Sequence, residues 1–438
     1  MPVQILTGVL VNLRSLWRSV VLGTAFLAFF SGCSFLPGLS GRAPGNRAFI
    51  TYWPPVKGGN PLRLAVKDNI DMKGVVTTAG SEYLARNSPP AVKDASCLAI
   101  ARQRKVQIVG KANLSEFAVA PSGFNEYFGT PVNPFNGWRS LIPGGSSCGS
   151  AVAVASGLAD VAFGTDTAGS VRVPAACCGI VGLKTTHGLI PIDGVVPIEP
   201  EHLDTIGPMA KDIARTVQGM DLLQRGFAAR YAAEVAAKPR AKNIRIGRVT
   251  LEDTDPKIEQ AVDQALARAG FQVVPLDDAF SRKWEQAKKD GNTLAAAGAW
   301  ISDRQYRYKI GVSRRTKSAI LAGRLAVSTK YSAAVARQGT WQNTLRDVFK
   351  NVDFIALPTI RSTPPSIPPN LKIGILEMHV LDLQNTVAVN FAGNPALAMP
   401  IPLQHSSVPK TSLQLIGPRL SEAGLLNAGR LVEGGWGK

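Results

Sequence analysis

From residue 48 onward, short apolar runs alternate with longer stretches whose apolar positions recur at helical spacing. The pattern over 94–104 predicts a helix, and Val106-Gln107-Ile108-Val109 behind it predicts a strand. A second unit reads more sharply. Residues 244–249 form a strand pattern, Asp255 is placed to cap a helix, Pro256 takes its first position and Gly270 stops it. Residues 271–275 then return as a strand. Further strands are expected at 354–357 and 413–416, and Ser421 starts a last helix ending before Gly434. Residues 148–156 are almost all Ala, Val, Gly and Ser, which predicts a helix able to pack closely on a sheet. Strands alternating with helices indicate an α/β fold with a largely buried sheet. No linker divides 48–436, so a single large domain is expected.

Composition changes this picture only at the edges. The chain has 438 residues, 45% of them hydrophobic, which excludes a disordered chain. Its net charge of +18 allows three readings: a nucleic-acid partner, an anionic membrane surface, or a basic solvated surface with no partner. Basic residues such as Arg314-Arg315-Thr316-Lys317 are scattered without interleaved aromatics, so no nucleic acid is expected. Near the N-terminus, Arg14 and Arg18 precede the apolar run 20–30 and then Ser31-Gly32-Cys33. This resembles a bacterial lipoprotein signal, with cleavage before Cys33 and lipid attached to its sulfur. Phe30 stands where such signals more often carry Leu, and a cleaved signal or an uncleaved anchor are the alternatives. On this reading residues 1–32 are the signal and 33–47 a lipidated cysteine with a Gly/Pro/Ser-rich tether. The protein would then be an exported lipoprotein of the bacterial cell envelope, held on the membrane. The other cysteines, Cys97, Cys148, Cys177 and Cys178, form no CxxC pair and read as packing residues.

Candidate chemistry is concentrated between Pro143 and Thr186. Two Gly/Ser-rich turns lie there, Gly144-Gly145-Ser146-Ser147 and Gly164-Thr165-Asp166-Thr167-Ala168-Gly169-Ser170, followed by Arg172 and Pro174. The small-residue helix between them would bring Ser146 and Ser170 together. Upstream stands Ala65-Val66-Lys67-Asp68-Asn69-Ile70.

These three segments, in this order, closely resemble the amidase signature family. The likeness continues through Gly110-Lys111-Ala112-Asn113-Leu114-Ser115-Glu116-Phe117, Asp204-Thr205-Ile206-Gly207-Pro208, Leu357-Pro358-Thr359 and Leu413-Gln414-Leu415-Ile416-Gly417. The resemblance implies a central mixed, mostly parallel twisted sheet covered by helices on both faces. It implies an amidase that works through an acyl-enzyme: Ser170 as nucleophile, Ser146 after a cis peptide bond as middle serine, and Lys67 as a neutral amine that takes the proton. A neutral lysine requires burial or nearby positive charge. The backbone N–H groups of Thr167, Ala168, Gly169 and Ser170 are the implied oxyanion donors. Ser147, Asp166 and Arg172 are implied to hold the loop. Ala168 stands where the family more often has Gly, and Cys148 replaces another usual Gly. No metal and no cofactor are expected.

Gly145-Ser146-Ser147-Cys148-Gly149 also satisfies the G-x-S-x-G nucleophile elbow. That reading needs a later acid and histidine, and it leaves Lys67 and the second turn unexplained. The histidines are His187, His202, His379 and His405. The expected reaction is hydrolysis of a small carboxamide. The alternative is a glutamyl-tRNA amidotransferase A-type subunit working in a complex. A catalytically silent, membrane-tethered binding protein is disfavoured by the complete Lys-Ser-Ser set.

Overall fold

The computed structural model describes residues 45–436 apart from 138–139, 239 and 369–372. The expected signal, Cys33 and nearly all of the tether lie outside the described residues. Eleven strands build one sheet: β1 Phe49–Tyr52, β2 Arg63–Lys67, β3 Gln107–Ala112, β4 Val161–Asp166, β5 Val181–Lys184, β6 Thr205–Ala210, β7 Arg245–Arg248, β8 Gln272–Pro275, β9 Phe354–Pro358, β10 Ala396–Pro402 and β11 Lys410–Ile416. Their order across the sheet is β1-β3-β2-β4-β6-β5-β10-β11-β9-β7-β8.

Parallel pairing occupies two places, β3-β2-β4 and β9-β7-β8. The six other pairings are antiparallel. The sheet is mixed, as expected, but its parallel share is smaller than expected. The reason is the centre, where β6, β5, β10 and β11 return against one another instead of crossing over through helices.

Helices cover both faces. On one side Leu64, Val66 and Phe163 pack with Ile213, Val217, Ile258, Val262 and Leu425. These helical residues belong to Ile213–Leu223, Pro256–Ala269 and Glu422–Gly434. On the other side Ala65, Val109 and Ala162 meet Ala151, Val152 and Ala175 from the helices Cys148–Ala155 and Arg172–Cys178. Small residues make that second contact close. A Cβ on Gly149 would lie 2.3 Å from both the Ala48 carbonyl oxygen and the Asn113 nitrogen.

Local signals fixed several boundaries. The Asp255 carboxylate accepts from the Lys257 amide and Gly270 adopts a left-handed φ of 83°. The 94–104 segment is less regular than expected, a 3-10 turn Ser96–Leu98 running into a short helix Ala99–Gln103. The helices Asp278–Asp303, Arg314–Thr329 and Tyr331–Val348 pack on one another beside the sheet. Trp284 and Trp341 meet edge to face at 5.9 Å within that group. Among the described residues no helix is long and apolar enough to cross a membrane.

Candidate active site

Lys67 is the last residue of β2, a strand flanked on both sides. Side chains alternate along a strand. Leu64 and Val66 therefore enter one core layer, while Ala65 and Lys67 face the small-residue helix. Lys67 is fully buried. Its Nζ lies 2.7 Å from Ser146 Oγ and 2.7 Å from Thr165 Oγ1. Burial pushes the Lys67 ammonium down to about 7, against the opposing pull of Cys148, Asp166 and Asp204.

The Gly145–Ser146 peptide bond is cis, as the resemblance implied. Backbone bonds fasten this turn: the Gly145 amide donates to the Pro121 carbonyl at 2.6 Å, and the Ser115 amide to the Ser146 carbonyl at 3.2 Å. The Ser147 amide donates to the Ser170 carbonyl at 3.2 Å, which joins the two Gly/Ser turns directly. Ser147 Oγ donates to the Thr165 carbonyl at 3.3 Å. Ser146 is fully buried beside Lys67, whereas Ser170 stays partly exposed. The inner serine thus meets the lysine and the outer one meets solvent.

The turn from Thr167 to Ser170 leaves its amides free. Among the described residues, none of the Thr167, Ala168, Gly169 and Ser170 N–H groups has a backbone or side-chain acceptor. Gly169 carries the unusual backbone, φ 134°, and a Cβ there would sit 2.2 Å from Thr386 Oγ1. Ala168 is not among the residues with positive φ, which explains why alanine is accommodated at that position.

Asp166 and Arg172 brace the turn from beneath. The carboxylate accepts from Arg172 through both oxygens, at 3.1 and 3.0 Å, from the Val171 amide at 3.1 Å and from Asn390 Nδ2 at 2.8 Å. Burial opposes ionisation of Asp166, but Arg172 and these donors hold its carboxyl down at about 2. Arg172 also donates to the Thr386 carbonyl at 3.0 Å and to Gln414 Oε1 at 2.7 Å.

Several site residues were not anticipated. Thr165 touches Lys67, and Asn69 Nδ2 donates to Thr165 Oγ1 at 3.1 Å. Both lie inside the segments that were singled out, so their positions were available. Thr386 Oγ1 donates to the Ala168 carbonyl at 2.6 Å from a remote part of the chain, with no local signal to mark it. Cys148 is buried, its thiol pushed up to about 12 by burial, and donates weakly to the Asn113 carbonyl at 3.7 Å. Ser147, the serine the elbow pattern would use, bonds the Thr165 carbonyl and no histidine among the described residues, so the elbow reading loses its base.

Known proteins place the chain in a family. The family model described as Amidase matches residues 60–426. The chain is 33% identical to a 2-amino-5-chloromuconic acid deaminase from Comamonas testosteroni, over 85% of this chain and 81% of the relative. It is 31% identical to the A subunit of a glutamyl-tRNA(Gln) amidotransferase from Halobacterium salinarum, over 84% of this chain and 94% of the relative. The crystal structure of the corresponding A subunit from Thermotoga maritima superimposes with a TM-score of 0.72 at 27% identity, covering 88% of this chain and 87% of that one. The chain belongs to the Amidase family, the amidase signature enzymes, and is a hydrolase of carbon–nitrogen bonds.

Proposed function

We propose that the protein hydrolyses a small carboxamide through Ser170, Ser146 and Lys67, forming an acyl-enzyme and releasing ammonia or an amine. The observation that carries this reading is the buried Lys67 amine, 2.7 Å from Ser146 Oγ and pushed down to about 7. A neutral lysine amine has two N–H groups and one lone pair. Thr165 Oγ1 at 2.7 Å takes an N–H, which leaves the lone pair for the Ser146 hydroxyl. Ser146 then takes the proton of Ser170 as Ser170 attacks the amide carbon. The oxyanion that forms is met by the free amides of 167–170, and the proton returns along the same path to the leaving nitrogen. Water repeats the sequence on the acyl-enzyme.

The test uses protein lacking residues 1–32 on a panel of carboxamides, with ammonia release read beside Ser170→Ala and Lys67→Ala. Silence of the wild type on every amide, or full activity in Ser170→Ala, sinks the reading.

The likeness to amidotransferase A subunits favours one second reading, a component that supplies ammonia inside a complex. Turnover of free carboxamides by the chain alone speaks for the first reading. Turnover that appears only when amidotransferase partner subunits are added speaks for the second. For the address, the sequence of Arg14, Arg18, the apolar run 20–30 and Cys33 supports a lipid-anchored envelope protein. Metabolic labelling with a fatty-acid precursor should mark the wild type and not Cys33→Ala; equal labelling of both refutes the anchor.

A further inference from the structure

Asp204 lies just ahead of β6 and has no part in the proton path from Ser170 through Ser146 to Lys67. Its carboxylate nevertheless reaches two parts of the site at once. Oδ1 accepts from Thr167 Oγ1 at 2.6 Å, and Thr167 opens the turn that carries the free amides. Oδ2 accepts from the Ile198 and Glu199 amides at 2.8 and 3.1 Å. Every one of these partners is a donor, which is the surrounding of a carboxylate rather than of a carboxylic acid. Asp204 and Thr167 also line one narrow cavity with Asn69 and Thr165, the pair that adjoins Lys67.

We propose that Asp204 is a positioning residue for this reaction: through Thr167 Oγ1 it holds the oxyanion turn, and it sets a carboxylate on the cavity lined by Asn69 and Thr165, the neighbours of Lys67. The proposal rests on the Ser170–Ser146–Lys67 reading. The charged and titratable groups that bear on Lys67 are Asp166 from β4, Asp204, and the Cys148 thiol from the Cys148–Ala155 helix. Cys148 is uncharged at neutral pH because burial pushes its thiol up to about 12. Asp166 is committed to Arg172. That leaves Asp204 as the carboxylate not already neutralised by a cation. The charge of Asp204 in turn bears on two other carboxyls, Glu199 and, at the end of the long helix, Asp303. Burial pushes both carboxyls up, Glu199 to about 7, which favours their neutral forms. Although Asp204 keeps some contact with solvent, the protein mass around it pushes its own carboxyl up, and Thr167, the two amides and Lys67 pull it back.

The sign follows from these contacts. A carboxylate near Lys67 favours the ammonium, so removing the charge lowers the pH at which Lys67 loses its proton. In Asp204→Asn the acidic limb of the kcat/KM profile is expected to move to lower pH by about one pH unit. Thr167→Val removes the hydroxyl and leaves the carboxylate with both backbone bonds. It is expected to lower kcat about tenfold with the limb unmoved. A wild-type limb in Asp204→Asn, even with reduced activity and an earlier melt, shows a merely structural residue and overturns the proposal. So does a wild-type kcat in Thr167→Val, which decides alone should Asp204→Asn fail to fold. Ser170→Ala and Lys67→Ala run alongside separate the two levels. Activity in either control sinks the Lys67 reading itself, whereas inert controls with a wild-type limb in Asp204→Asn remove only the role of Asp204.

Discussion

If Lys67 is the base, acid must stop the enzyme at a pH set by burial. Activity requires the neutral amine, and burial brings the ammonium down to about 7. Below that value kcat/KM is expected to fall tenfold per pH unit, so that at pH 5 about one part in a hundred of the plateau remains. An exposed lysine near 10.5 would be neutral in only about one molecule in three thousand at pH 7, so the fold supplies about a thousandfold in active base. The assay is the pH dependence of kcat/KM on one stable carboxamide, with samples returned to pH 7 to show that acid has not unfolded them. A second lysine provides the control. Lys184 is also fully buried and brought to about 7 by burial, but its Nζ donates to the Thr185 and Asn394 carbonyls at 3.0 and 2.8 Å. Lys184→Met should keep the limb near pH 7 in whatever activity remains. A profile flat from pH 5 to 8, a limb near 10, or a limb that disappears in Lys184→Met would refute the assignment.

Three further outcomes are expected. Gly169→Ala forces a Cβ to 2.2 Å from Thr386 Oγ1 at a φ of 134°, and should lower kcat by about 10²–10³-fold with KM little changed, as the loss of one oxyanion donor does; a wild-type kcat contradicts this. Arg172→Met strands the buried Asp166 carboxylate and should cost about 3–5 kcal/mol in urea unfolding; an unchanged midpoint contradicts it. Cys148→Ala should keep activity, and iodoacetamide should leave the wild type active, because the Cys148 thiol is buried and protonated at neutral pH; inactivation by either would point to a sulfur nucleophile.

The parts of the fold that were legible in the sequence are those with local causes. Asp255, Pro256 and Gly270 bound their helix by caps that need no neighbour. The two Gly/Ser turns were visible because their backbone conformations demand Gly, and the small-residue helix because nothing larger fits between it and the sheet. What could not be read depends on pairing between distant segments. The antiparallel centre depends on β10 meeting β5, a strand more than 200 residues earlier, and no local pattern states which strands will pair. The same holds for Thr386, Asn390 and Gln414, which reach the 166–172 turn from the far end of the chain. The long helices of 278–348 went unassigned because their apolar stripes are interrupted by polar residues such as Lys288, Asp290 and Asp303, which the fold nonetheless buries.

The four described cysteines have a consequence for where such a chain can mature. Cys97, Cys148, Cys177 and Cys178 are all free and buried, and burial pushes every thiol up, to about 12 for the first three. A protonated, inaccessible sulfur neither attacks a disulfide nor is attacked by an oxidant. The catalytic body is therefore indifferent to redox surroundings: it needs no oxidase to complete it and offers no thiolate to damage. The same body made in a reducing cytosol and in an oxidising periplasm should show the same specific activity, so that export, if it occurs, asks nothing new of the fold.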